Sequence, residues 1–324
     1  MQMAVKSAGN LPLFDPGEGK VVFAPEKDEA GYWVGAPSAW VDGNEVYISA
    51  RHRRPLSSGR GWKSAISRSA DGENFEEIWA CFAEDFDTES IERSALVRAP
   101  SGEWRLCISY VDHERRWRID LLEADCPEEL NPAARIPIMD STTTQTEGVK
   151  DPYVMFLGGA TYMFVAYAPL DTVVPGSTHE DLHGIGNVFT TGLVLHPSGL
   201  WISADGRKFD FVRDITVPGH GWDRNVARLA SVVPNGAGYT IFYDGWITSG
   251  DVYEDKTGFC TSLDLVHVFK HTVDGAALQS PHGTGCMHYM DCVRRGDELL
   301  YYYELGTATE AHELRLMRLP VPDA

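Results

Sequence analysis

Short apolar stretches alternate with turns along the whole chain, and one pattern occurs five times. Each occurrence is an apolar strand, a turn that contains glycine, and a second apolar strand. The turn glycines are separated by 59, 57, 77 and 60 residues, and they are Gly43, Gly102, Gly159, Gly236 and Gly296. A repeat of this length has room for about four strands, which is typical of a blade in a β-propeller.

Outer strands are indicated by two further hairpins. Residues 62–69 and 193–202 each run into the sequence Ser-Ala-Asp-Gly, and another apolar run follows each turn. Asp-Gly between two strands is a strong hairpin signal. A helical period is not sustained beyond a turn or two anywhere, apart from a short piece near residues 127–130. The pattern therefore predicts an all-β, five-bladed β-propeller built from four-stranded antiparallel blades.

A single propeller domain over residues 1–324 is the predicted organisation. The blades are expected, in chain order, at residues 33–86, 90–140, 148–215, 223–275 and 284–324. The last blade contains only three candidate strands, which would leave an open edge. Residues 20–24 form the only unassigned strand-like run, so we expect residues 20–25 to complete the fifth blade. The long third interval contains residues 169–186, a polar stretch that predicts an inserted loop covering the centre.

The composition is that of a globular chain with a large acidic excess. Hydrophobic residues make up 43%, and 47 carboxylates against 28 Lys plus Arg give a net charge of −19. Such a charge disfavours nucleic acid and anionic membranes as partners. Residues 1–10 lack the apolar region of a secretory signal, and the six cysteines form no CxxC pair, so we expect a cytoplasmic protein with reduced thiols. The oligomeric state stays open.

The candidate binding residues lie where the inner strand of each blade begins and the second strand ends, because these points converge on one central mouth. They are Arg51, His52, Arg93, Asp112, His113, Arg224, Arg228, Asp244, Trp246 and Glu304. Taken singly, each is explained more simply as a solvated turn residue than as a ligand contact. Together, mixed charges and aromatic faces suit a small polyhydroxylated ligand such as a carbohydrate.

The third blade opens with Gly-Val-Lys-Asp-Pro-Tyr-Val at residues 148–154. With five blades, this sequence resembles the five-bladed glycosidases of glycoside hydrolase families 43, 32, 68, 117 and 130. The resemblance implies that Asp151 orients the sugar and tunes the pKa of the catalytic acid. These families carry an acidic residue at the entry of the first blade, where this chain has Ala36-Pro37-Ser38, and a glutamate in the fourth, where it has residues 222–225, Trp-Asp-Arg-Asn.

Cleavage of a glycosidic bond requires an acid for the leaving oxygen and a carboxylate that activates water or attacks directly. Glu92, Asp151 and Asp223 are the carboxylates at or near the entries, so they are the catalytic candidates. His288 could supply the acid instead, as the similarity to family 117 implies. The sequence thus predicts a glycoside hydrolase. A glycoside phosphorylase that uses inorganic phosphate and a non-catalytic carbohydrate-binding propeller are the alternatives.

One basic cluster, Arg51-His52-Arg53-Arg54, stands out in this acidic chain. It could pair with nearby carboxylates, or it could hold an anion such as a uronate or phosphate. Alternate residues of a strand point to opposite faces, so the four side chains cannot all reach one ligand. We expect Arg51 and His52, near the strand exit, to bind the anion, and Arg53 and Arg54 to lie at the surface.

No metal ligand or cofactor is assigned from the sequence. The run His179–His183 matches the zinc-protease pattern HExxH, but flanking glycines and a proline disfavour the long helix that this chemistry requires. A divalent cation held in the central channel among His52, Asp112, His113 and His288 is left open.

Overall fold

The computed structural model describes residues 7–247 and 253–322. Its strands are β1 (Ser7–Ala8), β2 (Leu11–Pro12), β3 (Lys20–Phe23), β4 (Trp33–Asp42), β5 (Glu45–Arg53), β6 (Gly61–Ser69), β7 (Glu76–Phe82), β8 (Ile91–Arg98), β9 (Trp104–Val111), β10 (Trp117–Ala124), β11 (Ile136–Met139), β12 (Thr146–Leu157), β13 (Ala160–Pro169), β14 (Ser198–Ser203), β15 (Asp210–Thr216), β16 (Val226–Asn235), β17 (Gly238–Trp246), β18 (Lys256–Ser262), β19 (Val268–Lys270), β20 (Met287–Arg295), β21 (Glu298–Gly306) and β22 (His312–Pro320). The α-helices of the described residues are α1 (Ser141–Thr144) and α2 (His179–His183).

These strands form a five-bladed β-propeller, as the sequence predicts. The first four blades are the antiparallel sheets β4–β7, β8–β11, β12–β15 and β16–β19. The fifth consists of β20, β21 and β22, with β3 antiparallel to β22 through the pairs Phe23 with Leu314 and Val21 with Arg315. The N-terminal strand therefore closes the last blade, which confirms that prediction. A parallel bridge between His312 and Trp33 joins the fifth blade to the first.

Apolar side chains pack between neighbouring blades, which is where the core lies. The first and second blades share Tyr47, Ile66 and Leu106, and the fourth and fifth share Phe242 and Tyr301. The turn glycines of the repeat all have positive φ, with angles of 61°, 111°, 82°, 62° and 60° at Gly43, Gly102, Gly159, Gly236 and Gly296. Glycine recurs at these turns because this backbone conformation strains other residues.

An extra residue interrupts the pairing of every inner strand with the second strand of its blade, and in the third blade this happens twice. Such β-bulges re-aim side chains and bend the strand. Ala36, Asp151 and Tyr289 occupy the same place in the bulges of the first, third and fifth blades, with φ of 50°, 57° and 53°. A left-handed backbone at a residue other than glycine is strained, and such strain gathers at functional sites.

Side chains of the preceding blade hold these bulges in place. The amide of Ala36 donates to Oε2 of Glu304 at 2.9 Å, and the amide of Tyr289 donates to Oδ2 of Asp244 at 2.9 Å. Glu304 and Asp244 both lie near the end of the second strand of their blade. The two carboxylates thus have a structural role.

The predicted insertion joins β13 to β14 and contains α2. Leu182, Val188 and Phe189 of this segment pack with Trp117 of the second blade. The one-turn helix α2 places His183 within 2.9 Å of Glu147, where it is buried as a structural pair. No helix among the described residues is long and apolar enough to cross a membrane.

Candidate active site

The centre of the propeller holds a small pocket to which all five blades contribute, called the axial pocket below. Its lining residues are Trp33, Arg51, Arg53, Glu92, Lys150, Asn187, Phe189, Thr190, Arg228, Trp246, Tyr253, Asp255, His288 and Tyr289. Asn187, Phe189 and Thr190 of this lining belong to the insertion. The free volume is about 20 Å³, enough for about one water molecule.

Buried ion pairs connect the first, second, fourth and fifth blades around this pocket. Nε of Arg51 lies 3.0 Å from Oε2 of Glu92, and its Nη2 lies 3.1 Å from Oε2 of Glu304. His288 extends this series of ion pairs. Its Nε2 lies 2.9 Å from Oε1 of Glu304, and its Nδ1 lies 3.2 Å from Oδ1 of Asp255. Positive and negative groups therefore alternate around the axis.

Arg228 extends the ion pairs to the third blade. Its Nη2 lies 2.9 Å from Oδ1 of Asp255 and 3.1 Å from Oδ2 of Asp244. Its Nη1 lies 3.5 Å from Oδ2 of Asp151, and Nζ of Lys150 lies 3.7 Å from the same oxygen. The side chains of this network are at most 7% exposed. Buried charges are tolerated when they are paired in this way.

Glu92 and His288 are held in opposite protonation states. Burial alone would raise the pKa of Glu92, but the charges of Arg51 and Lys150 lower it to about 2. Burial alone would lower the pKa of His288, but Glu304 and Asp255 raise it to about 9. At neutral pH the pocket therefore presents an ionised carboxylate and a protonated imidazole.

Two further groups in the network are also perturbed. Burial raises the pKa of Asp244, although the charge of Arg228 opposes the effect. Burial likewise lowers the pKa of Lys150, against the attraction of Asp151 and Glu92. Closely spaced groups with separated proton affinities are characteristic of catalytic sites.

Asp151 is completely buried beside the pocket, and it is not among the residues that line it. Its Oδ2 accepts a hydrogen bond from the hydroxyl of Tyr289 at 3.3 Å and faces Arg228 and Lys150. Its Oδ1 has no hydrogen-bond partner. Ala36, at the same bulge position of the first blade, offers a methyl group where the resemblance implies a carboxylate.

The side chains of the basic cluster that face the axis are not the ones predicted. Arg51 and Arg53 are both buried on the axial side, whereas His52 points to the other face of β5 towards Trp62. Nη2 of Arg53 lies 2.6 Å from the hydroxyl of Tyr253. The expectations that His52 joins the anion site and that Arg53 lies at the surface are therefore wrong. The alternation of a β-strand is unbroken here, so residues 51 and 53 share a face.

Four other predicted site residues lie outside the central network. Oδ1 of Asp112 accepts hydrogen bonds from the backbone amides of its own turn, and the side chain of His113 is 81% exposed. Asp223 is buried within the fourth blade, where its Oδ2 lies 2.6 Å from Nζ of Lys270, and Arg224 is exposed. The structure thus corrects their expected placement. For Asp112, His113 and Arg224 the reason is that a solvent-facing turn and a mouth residue have the same position relative to a strand end.

Arg93 and Trp246 are both at the centre, with different roles. Arg93 is fully buried, and its Nη2 donates to the carbonyl of Ala230 at 2.7 Å, which ties the second blade to the fourth. Trp246 lines the axial pocket, with its ring centroid 5.3 Å from the guanidinium carbon of Arg228.

The predicted cation ligands are not assembled, because His52 and His113 point away from His288. A different group lies close enough to hold a metal: Cys286, His288 and His312 offer ligand atoms within 4.8 Å of one another. Both ring nitrogens of His288 already contact carboxylates, Nε2 at 2.9 Å from Glu304 and Nδ1 at 3.2 Å from Asp255. We therefore assign no metal to this group.

Several residues of the pocket were not predicted from the sequence, among them Tyr289, Asp255 and Phe189. Tyr289 occupies the bulge position equivalent to Asp151, so the repeat itself carried a signal for it. Asp255 precedes the third strand of its blade, and Phe189 comes from the insertion, which the repeat does not cover.

Solved structures share this fold over nearly the whole chain. A glycoside hydrolase superposes with a TM-score of 0.70 at 10% identity, over 96% of both chains. A β-1,2-mannobiose phosphorylase from Listeria innocua gives 0.61 at 14% identity, over 93% of this chain and 94% of that one. A GH43_1 enzyme from Xanthomonas citri in complex with xylose gives 0.60 at 14% identity, over 93% and 90%. These likenesses show the fold alone.

No protein-family model matches the sequence, and no curated protein matches it. The chemistry of the axial pocket therefore has to be argued from its own residues.

Proposed function

We propose that the protein is a glycoside hydrolase that acts on an anionic saccharide in the axial pocket. The observation that carries this proposal is the pairing of an ionised Glu92 with a protonated His288 in the lining of one pocket. Hydrolysis of a glycosidic bond needs one group of each kind. The carbohydrate-active enzymes that share the fold support the same class of reaction.

In the proposed reaction, Glu92 accepts a proton from a water molecule while the oxygen of that water bonds to the anomeric carbon. His288 donates its proton to the glycosidic oxygen as the carbon–oxygen bond breaks. Asp151 is a positioning residue, because it faces Arg228 and Lys150 from beside the pocket. A single displacement by water inverts the configuration at the anomeric carbon, which NMR of the initial product detects.

The charge of the lining favours an anionic sugar. Arg51, Arg53, Lys150 and Arg228 reach the pocket together with His288, and among the described residues the carboxylates that line it are Glu92 and Asp255. Guanidinium groups bind carboxylates and sulfates through paired, charge-assisted hydrogen bonds. A uronate or a sulfated sugar therefore fits this lining better than a neutral one.

Entry of a sugar requires the insertion to move, because the axial pocket is too small for a sugar ring as it stands. Asn187, Phe189 and Thr190 belong to the insertion, whereas most of the other lining residues lie on blade strands. The ring of Phe189 lies 4.8 Å from Nζ of Lys150, so this side chain covers the cationic floor. Movement of such a loop would admit the substrate and then exclude water from the reaction.

The test is hydrolysis of uronate-containing, sulfated and neutral glycosides by the wild-type protein and by Glu92→Gln. We expect release of free sugar from an anionic substrate and a loss of at least about 100-fold in the variant. A protein that binds these sugars and never cleaves them would refute the hydrolase and favour the carbohydrate-binding propeller.

A phosphorylase is the second candidate, because the same cationic lining could hold inorganic phosphate. The reaction then requires phosphate and releases a sugar phosphate. Assays in phosphate-free buffer separate the two enzymes: free sugar formed without phosphate rules out the phosphorylase.

A further inference from the structure

A large groove lies over the first and second blades, next to the axial pocket. Its free volume is about 970 Å³, and its lining includes Arg54, Arg60, Trp62, Phe82 and Arg115. Thr190 of the insertion lines both the groove and the axial pocket. Movement of this segment would therefore join the two spaces into one cleft.

The groove continues the cationic character of the pocket. Arg54, Arg60 and Arg115 face it, against the carboxylates Glu84 and Glu89. Arg115 pairs with Glu89 at 3.2 Å, and Arg54 pairs with Glu26 at 2.7 Å. The chain as a whole has a net charge of −19. Arginines are nevertheless concentrated along the path from the axis to the groove. Such a stripe attracts an extended anion.

The groove also exposes apolar side chains. Leu56, Phe82 and Ile185 are 51%, 40% and 54% exposed, and all three line it. The rings of Trp62 and Phe82 stack with centroids 5.9 Å apart. Exposed apolar groups gathered in one concave surface mark a binding site. Aromatic faces beside arginines suit the C–H faces and charged substituents of an anionic sugar.

We propose that this groove binds the further units of an anionic oligosaccharide whose reacting unit occupies the axial pocket. The proposal rests on the proposed function and adds a length requirement to it. The substrate is then a chain that carries negative charge on several units, and short glycosides are poor substrates.

The first test compares oligogalacturonates and, in parallel, sulfated carrageenan oligosaccharides of two to six units. Binding is measured by calorimetry on the intact protein, which does not depend on turnover. We expect affinity to rise with length in one of the two series, and Phe82→Ala to reduce the affinity for its longest member about tenfold. The series that responds identifies the anionic group as a carboxylate or a sulfate.

The matched control is Phe269→Ala. Phe269 is 67% exposed on the outer strand of the fourth blade. The control therefore removes a similarly exposed aromatic ring that is not part of the groove. Arg54→Gln should weaken binding of the long oligosaccharide and leave the shortest one unchanged. Length-independent binding in both series, or equal effects of Phe82→Ala and Phe269→Ala, would overturn the groove proposal.

The two proposals fail in different ways. Cleavage of a short anionic glycoside that is unaffected by Phe82→Ala, without any gain from length, removes the groove and leaves the hydrolase standing. Length-dependent binding without cleavage supports the groove as a saccharide site and removes the hydrolase.

Discussion

The guanidinium of Arg51 lies 3.0 Å from the carboxylate of Glu92, and both side chains are buried. This contact spans the first and second blades and sets the charge state of the proposed base. The same guanidinium reaches Glu304 of the fifth blade, so one arginine side chain connects three blades. Stability and catalytic chemistry thus depend on the same group.

Replacement of Arg51 by methionine should be strongly destabilising. It leaves Glu92 and Glu304 buried without their partner, which typically costs about 3–5 kcal/mol of unfolding free energy. Denaturant unfolding measures the change. The control is Arg98→Met, which breaks the exposed pair with Asp42 at 2.8 Å and should cost no more than about 1 kcal/mol. Equal effects of the two changes would contradict the buried network.

Glu92→Gln should abolish most of the activity while the propeller remains folded. The amide keeps the shape of the side chain and cannot accept a proton, so we expect a loss of about 10²–10⁴-fold in kcat. Steady-state kinetics on an anionic glycoside measures it. Glu114→Gln, a change at a side chain that is 77% exposed, should leave kcat unaltered. Full turnover by Glu92→Gln would remove Glu92 from the mechanism.

Activity should fall as the pH rises through about 9. His288 must be protonated to act as the acid, and its pKa is raised to about 9 by Glu304 and Asp255. The pH profile of kcat/KM should lose this limb in His288→Gln. In the exposed control His271→Gln the limb should remain. A profile that stays flat well above pH 9 would show that His288 is not the acid.

The same group makes the folded state sensitive to pH. Because its pKa in the folded protein is above the ordinary value of 6.5, protonation of His288 stabilises the fold fully below pH 6.5. That contribution should disappear as the pH rises from 6.5 through about 9. Thermal unfolding across this range should show the decline in the wild type, and a smaller decline in His288→Gln.

Asp151→Asn should lower kcat. The amide has the same shape as the carboxylate, so the change should cost little stability through altered packing. Arg228 and Lys150 would lose a shared negative charge at 3.5 and 3.7 Å. We expect kcat to fall because Arg228 and Lys150 would no longer be held in position. The affinity for anionic sugars should rise or stay equal, because less of the positive charge of these two residues would be neutralised. A variant with unchanged kcat would show that Asp151 does not position the site.

The repeat made most of the fold predictable. The turn glycines require positive φ, and the unassigned run at residues 20–24 had a single vacant place in the fifth blade. Both signals are local, because a turn conformation and an alternating strand are encoded by adjacent residues. Propeller geometry then follows from the number of repeats.

The site was predicted less completely, and the reason is visible in β5. Alternation along the strand already places Arg51 and Arg53 on one face and His52 on the other, and this alternation persists to the end of the strand. The position of Asp223 shows the same limit, because nothing local distinguishes a carboxylate that pairs with Lys270 from one that faces the axis.

Local sequence thus determined the blades, their turns, the closing strand and the entry positions of Glu92, Asp151, Arg228 and His288. The sequence does not show which of those groups form ion pairs or which protonation state each one has. Both depend on contacts between side chains more than a hundred residues apart, such as Arg51 and Glu304. Coulomb energies in a buried site depend on distance and on exclusion of water, and both quantities exist only after the five blades have closed around the axis.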